Sequence, residues 1–299
     1  MRIPALVFAS LFGVMLYGCD LENSWFGIGK PNNGQLTLGV TDAPADQLAK
    51  VVVTFNGVAL QSENGEWRRF DFNPPKQVDL LKQQGKRELL LDDVFLEAGR
   101  YRFIQLLISA DGNSSYVILA LDQASRFPLF LADDGQLFGV SADFTMPDRG
   151  KLDLTIDIDL RRSLDGAPSI GSFSIRPAMR LVNTDDSGTL AGTIAARLLR
   201  NDCARSEGRF VYIFAGQVTE AVDMRRGGVG PLVTVPMTQA TAGGDASYRA
   251  AFLPAGRYTL AYTCQGDVDQ PLREEKIPFS PLINATVTAG ATTTANFTR

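Results

Sequence analysis

Leu152-Asp153-Leu154-Thr155-Ile156-Asp157-Ile158-Asp159-Leu160 alternates apolar and polar residues without a break. A period of two sends Leu152, Leu154, Ile156, Ile158 and Leu160 to one face of a strand and the three aspartates to the other. Shorter runs of the same kind surround it: Gln35 to Val40, Lys50 to Leu60, Glu66 to Phe72, Tyr101 to Ile108, Tyr116 to Leu121, Leu137 to Phe144 and Ser172 to Val182. Turn dipeptides such as Asn64-Gly65, Asp111-Gly112, Asp134-Gly135 and Asp165-Gly166 separate them, with residues that tolerate positive φ. A single short helical turn is expected at Val78 to Gln84, and no strand–helix alternation occurs. The pattern predicts an all-β sandwich.

Asn183 to Gly188 replaces apolar residues with polar turn formers and marks a boundary. Beyond it, strands are expected at Thr189 to Leu199, Arg209 to Ala215, Leu232 to Thr238, Ser247 to Leu253, Tyr258 to Cys264, Glu275 to Phe279, Ala285 to Thr288 and Thr292 to Thr298. Leu96-Glu97-Ala98-Gly99-Arg100-Tyr101 recurs as Leu253-Pro254-Ala255-Gly256-Arg257-Tyr258. In each copy Leu closes a strand, Gly permits the bend, and Tyr starts the next strand with its ring in the core and its hydroxyl free for a loop carbonyl. A tyrosine-marked corner of this kind occurs in immunoglobulin-like sandwiches.

Met1-Arg2 gives a basic start, Ile3 to Leu16 an uncharged apolar stretch, and Leu16-Tyr17-Gly18-Cys19 a small-residue cleavage point. As a helix, Ile3 to Gly18 reaches roughly 24 Å, against about 30 Å of hydrocarbon core, so a permanent transmembrane span is the weaker reading. The segment resembles a bacterial lipoprotein signal, which implies cleavage after Gly18 and a lipidated Cys19, with acyl chains such as palmitate, as the first mature residue. An ordinary signal peptide followed by a chance cysteine is the alternative. Two or more acyl chains suffice for stable attachment. The expected plan is a signal peptide at 1–18, Cys19 and a tether at 19–33, and β-sandwich domains at 34–184 and 188–299. The expected location is the bacterial cell envelope, anchored to a membrane and facing the periplasm or the cell surface, with inner or outer membrane left open.

Among 299 residues, 29 Lys+Arg stand against 33 Asp+Glu, a net charge of −4, and there is no His. Without a basic surplus, nucleic acid is an unsuitable partner. The missing His removes the usual nucleophile-activating base and zinc ligand, and three Cys cannot complete a Cys-only zinc site. No cofactor is expected.

Thr41-Asp42-Ala43-Pro44, Lys50 to Val58, Val78-Asp79-Leu80-Leu81, the Leu96 to Tyr101 corner and Thr155 to Leu164 together resemble domain of unknown function 4382, common in bacterial lipoproteins, over roughly Gly34 to Val182. The resemblance implies a family and no chemistry. The second module is similar to carboxypeptidase-regulatory-like or transthyretin-like sandwiches, on Gly188 to Ile194, Ser247 to Leu253 and the Gly256-Arg257-Tyr258 corner. That implies an accessory, spacer or binding role.

Carboxylates two apart on a strand lie about 7 Å apart and repel by about 0.6 kcal/mol in water, or about 2.4 kcal/mol at an effective dielectric of about 20. Asp153, Asp157 and Asp159 therefore call for neutralisation. Arginines on neighbouring strands (Arg100, Arg102, Arg176 and Arg180) are the ordinary device, and a hard cation such as Ca²⁺ is the speculative one. Asp42 reads as a turn former capping backbone amides. Cys203 and Cys264, in a compartment that permits oxidation, read as a disulfide, with two free buried thiols as the alternative. Trp67, Phe70, Phe72, Phe127 and Phe130 read as core, with a sugar-binding face as the alternative. Ser141 lacks a nucleophile-elbow context, and the Gly227-Gly228-x-Gly230 stretch reads as a plain loop. No catalytic residues are assigned. The function expected is non-catalytic binding, adhesion or assembly in contact with an envelope protein or polysaccharide. The alternatives are a carboxylate-dependent glycan hydrolase and a calcium-stabilised structural module.

Overall fold

The alternating run forms a strand at Lys151–Asp159, and a helical turn at Leu160–Ser163 ends it, with the Asp159 carboxylate accepting from Arg162 N at 3.1 Å. The structure is a computed structural model that describes residues 32–43, 47–132, 137–199, 203, 208–225, 230–241 and 243–298. Cys19, the signal segment and nearly all of the tether lie outside the described residues. Among those described, no helix is long and apolar enough to cross a membrane.

The first half holds β1 (Asn33–Ala43), β2 (Leu48–Ser62), β3 (Trp67–Asp79), β4 (Glu88–Glu97), β5 (Gly99–Ile108), β6 (Asp111–Leu119), β7 (Phe127–Leu131), β8 (Gly139–Met146), β9 (Lys151–Asp159), β10 (Leu164–Ala167), β11 (Ser172–Ile175) and β12 (Met179–Asn183). One sheet runs β12-β9-β1-β4; the other runs β10-β11-β7-β6-β2-β5-β8, with β3 also paired to β2. Between them lies a core that includes Leu36, Leu38 and Val40 from β1, Leu154, Ile156 and Ile158 from β9, and Val51, Val53 and Phe55 from β2.

The second half holds β13 (Ser187–Ile194), β14 (Phe210–Ala215), β15 (Val233–Pro236), β16 (Thr238–Gln239), β17 (Ala246–Pro254), β18 (Gly256–Thr263), β19 (Ile283–Val287) and β20 (Thr292–Thr294). They form two four-stranded sheets, β16-β17-β13-β20 and β15-β14-β18-β19. Leu190 and Tyr248 from one sheet meet Val211, Ile213 and Leu260 from the other. The opposite face of β14 is buried as well, because Phe210, Tyr212 and Phe214 pack under Met224, Val218, Val222 and Phe279. The fold is all-β, with two β-sandwiches.

The two halves share a plan. β1 pairs antiparallel with β4 and parallel with β9; β13 pairs antiparallel with β17 and parallel with β20. The repeated corner takes the chain from one sheet to the other in both, from β4 to β5 and from β17 to β18. Its glycines have φ of +143° at Gly99 and +158° at Gly256, where a side chain would be strained. Tyr101 and Tyr258 are buried, and each hydroxyl donates to the carbonyl four residues back: Glu97 at 3.0 Å and Pro254 at 2.7 Å.

Several boundaries differ from expectation. Val78-Asp79 extends β3, and only Leu80–Gln83 is helical, as a 3-10 turn. Ser172 to Val182 is two strands in different sheets, since Pro177 has no N–H to continue the ladder. β13 stops at Ile194, and Ala196–Leu198 is a 3-10 turn. Pro236 likewise divides the run from Leu232 to Thr238 into β15 and β16. No strand forms at Glu275 to Phe279: Glu275 N donates to Asp223 Oδ2 at 2.8 Å, and Phe279 packs edge-on against Tyr212.

Candidate functional site

The outer face of β9 carries charge and is nonetheless covered. Asp153 takes a two-pronged contact from Arg87, with Nη2 to Oδ2 at 2.6 Å and Nη1 to Oδ1. Asp157, 8% exposed, accepts from Arg180 Nη2 at 2.5 Å, and Asp159 accepts from Arg162 Nη1 at 2.7 Å. Arginine is the partner in every case, although of the four named from sequence only Arg180 serves this strand. Arg100 pairs with Asp143, Arg102 with Glu63 and Arg176 with Asp165. Each β9 aspartate is held by its own guanidinium, and the structure does not converge Asp153, Asp157 and Asp159 on one point.

Two of these guanidiniums, those of Arg162 and Arg180, join Arg161 in fastening the two sandwiches together. Arg161, buried in the helical turn after β9, donates to Thr234 Oγ1 at 3.3 Å and to the Gly266 carbonyl, and lies 4.4 Å above the Phe210 ring. Arg162 reaches the carbonyls of Arg225 at 3.2 Å and Pro231 at 2.9 Å. Arg180 donates to the Phe252 carbonyl at 3.0 Å. A charged hydrogen bond to a carbonyl is worth about 1.5–3 kcal/mol, so several of them across the joint resist its opening. The adjacent Arg161-Arg162 pair at the end of β9 is the feature of the sequence that could have marked this joint.

Beside the joint runs an open groove of about 1430 Å³. Edge strands β8 and β12 border it, with Ser141, Thr145, Met179 and Asn183, and the loop after β14 adds Gln217 and Glu220. Edge strands present unpaired main-chain donors and acceptors. The aspartates lining the groove, Asp143, Asp157 and Asp159, are all ion-paired. Two carboxyl groups outside the groove, Asp42 and Asp269, are held above the usual range. Asp42 is raised by burial and then by the charges of Asp157, Asp159 and Asp79, against which the Leu160 amide favours the charged form. Asp269 is raised by burial, against hydrogen bonds from Tyr212 and Met224.

Asp42 departs from its expected role. It shares the parity of Leu36, Leu38 and Val40 and is buried, and the Leu160 amide lies near enough to favour its charged form although neither oxygen makes a hydrogen bond of good geometry among the described residues. Carboxylates do gather at Asp223, Asp269 and Glu275, with oxygens within 4.8 Å of one another. Those groups are occupied by protein donors: Asp223 by Glu275 N, Asp269 by Met224 N and Tyr212 Oη, and Glu275 by Gln270 N.

Cys203 and Cys264 form a disulfide with Cα atoms 4.9 Å apart. The aromatic residues do not share one face: Trp67, Phe70 and Phe72 lie on β3, and Phe127 and Phe130 on β7, with β2 and β6 between. Trp67 packs edge-on against Phe103 and Phe127 against Phe173, while Trp67 and Phe130 stay exposed. Ser141 sits on an exposed position of β8. Of the glycine-rich loop, Gly227 and Gly228 lie outside the described residues.

Residues 33–177 match the family described as Domain of unknown function (DUF4382). The DUF4382 region thus ends just ahead of β12, and it contains β9 with Arg161 and Arg162. Among solved structures the chain is similar to the Bacillus anthracis TIE protein, with 14% identity over 88% of this chain and 34% of that one, at a TM-score of 0.20. It therefore spans about a third of that protein's length. It is also similar to GBS52, the minor pilin of the Gram-positive pathogen Streptococcus agalactiae, with 8% identity over 87% of this chain and 94% of that one, at a TM-score of 0.20. None of the curated proteins matches the chain.

Proposed function

We propose that the protein is a lipid-anchored, non-catalytic component of the bacterial cell envelope. Cys19 tethers two joined sandwiches that hold an envelope protein or polysaccharide. The observation that carries this reading is the charge state of the groove. Glycan hydrolysis by two carboxyl groups needs one acid with a raised pKa beside the sugar cleft. Here Asp143, Asp157 and Asp159, the aspartates that line the groove, are each bonded to an arginine, Arg100, Arg180 and Arg162. Sheet edges and polar side chains suit capture of an extended ligand.

The test is incubation of the purified protein with envelope polysaccharide and envelope protein fractions, scoring both retention and new reducing ends. Retention without cleavage, weakened by Ser141→Trp together with Gln217→Trp, is expected. Release of reducing ends that disappears in Asp157→Asn would replace this reading with the hydrolase.

A further inference from the structure

The groove beside the joint is bordered by two sheet edges, and the ladders behind those edges show which main-chain groups face it. β12 ends its sheet and pairs with β9 alone. Asp159 N donates to the Ala178 carbonyl and Thr184 N to the Asp153 carbonyl, each at 2.9 Å. Antiparallel pairing alternates with a period of two between those rungs, so Arg180 and Val182 direct their N–H and C=O groups to β9. Met179, Leu181 and Asn183 turn theirs the other way, and all three line the groove. β8 ends the opposite sheet. Counted from Leu106 N, which donates to the Phe138 carbonyl at 2.8 Å, its Gly139 and Ser141 likewise turn their main chain away from β5.

Side chains and charge narrow the occupant. Leu152, Met179 and Leu181 are only half-buried and form an open margin of the first sandwich's core. A strand laid beside β12 covers that margin with every second side chain. A sugar chain fits less well: the aromatic residues that line the groove, Phe144 and Phe214, are buried and present no open ring for stacking among the described residues. Asp143, Asp157 and Asp159 are held by Arg100, Arg180 and Arg162, and Arg225 is held by Asp223 and Glu274. Glu220, exposed on the rim, is left without an ion pair among the described residues, and a basic residue on the occupant would answer it.

We infer that the groove takes a protein segment in extended conformation, which adds to β12 as a fifth strand of its four-stranded sheet. The segment carries apolar residues at alternate positions and a Lys or Arg facing Glu220. The inference rests on the binding role proposed above and narrows its ligand from envelope protein or polysaccharide to a peptide strand.

The probe is a phage-displayed library of random peptides of about nine residues, panned on the full chain in detergent, with enriched peptides synthesised and titrated calorimetrically. Enriched sequences should alternate apolar and polar residues and carry a basic residue toward one end. Methylating the main-chain nitrogens along one edge of such a peptide should weaken binding about tenfold or more, and along the other edge should leave it within about twofold. Leu181→Pro removes an N–H that faces the groove and none that bonds β9, and should weaken binding about tenfold. Glu220→Lys should weaken it about threefold, with recovery when the peptide's basic residue is replaced by Glu. Circular dichroism verifies each fold, and a misfolded Leu181→Pro leaves the methylated peptides and Glu220→Lys to decide. Absence of enrichment overturns the inference, as does binding indifferent to methylation or to both folded variants. Polysaccharide retained where no peptide binds overturns this inference and leaves the binding role intact, whereas release of reducing ends removes that role as well.

Discussion

Tyr258 Oη donates to the carbonyl oxygen of Pro254 at 2.7 Å, closing the corner where the chain leaves one sheet of the second sandwich for the other. Tyr101 and Glu97 repeat the contact in the first sandwich. Replacing the tyrosine with phenylalanine keeps the buried ring and removes one hydrogen bond, leaving the carbonyl unpaired. Tyr258→Phe and Tyr101→Phe should each cost about 1 kcal/mol, read as a fall of about 2–4 °C in melting temperature. An unchanged melt in both would mean that the ring alone makes the corner.

Much of this was legible because it is local. The alternation from Leu152 to Leu160 fixes which side chains face the core, and the glycine and tyrosine of each corner act within six residues of sequence. Charge partners were legible only where topology is short-range. Arg180 faces Asp157 directly in the β12–β9 ladder, and that pair could be anticipated. Arg87 precedes β4, on the far side of β1 from β9, so its contact with Asp153 depends on a strand order that periodicity does not encode. Asp42 was misread because Thr41-Asp42-Ala43-Pro44 looks like a turn, whereas β1 runs through Ala43 and its parity turns Asp42 inward.

The Cys203–Cys264 bridge closes a loop of 61 residues. In the chain-entropy model this removes about 4 kcal/mol of unfolded-state freedom. Reductant, or Cys203→Ser, should lower the chain's melting temperature by roughly 10 °C. Equal melts with and without reductant, with two thiols counted in the untreated protein, would show that the bridge is not formed.

Asp42 sets a pH dependence of defined sign. Its pKa is raised in the folded state, so the native chain binds more protons than the unfolded one above the unfolded value of about 3.9. Its contribution to stability is therefore complete at acid pH and is lost as pH rises toward the raised folded value. Asp79, Asp157 and Asp159 face it, with Lys82, Arg180 and Arg162 as their cations. Asp42→Asn should flatten this part of the profile in denaturant titrations from pH 4 to 8. A variant profile parallel to that of the native chain would contradict the assignment.

Cys19 is expected to carry the membrane anchor. Cys19→Ser should yield an unprocessed or released chain that leaves the detergent phase on partitioning. Mass spectrometry of the native N-terminal peptide should show acylated Cys19 as the first residue. A native chain that begins elsewhere or bears no acyl mass would remove the anchor from the account.

Arg161, Arg162 and Arg180 join the two sandwiches, and Arg162 and Arg180 also hold Asp159 and Asp157 of β9. Arg161 is buried and bonds to Thr234 and Gly266, so Arg161→Met should cost about 1.5–3 kcal/mol for each hydrogen bond lost at the seam. The direct measurement is differential scanning calorimetry of the full chain in detergent, native and Arg161→Met. A single cooperative transition that divides into two on substitution is the predicted result; two independent transitions already present in the native protein would contradict it.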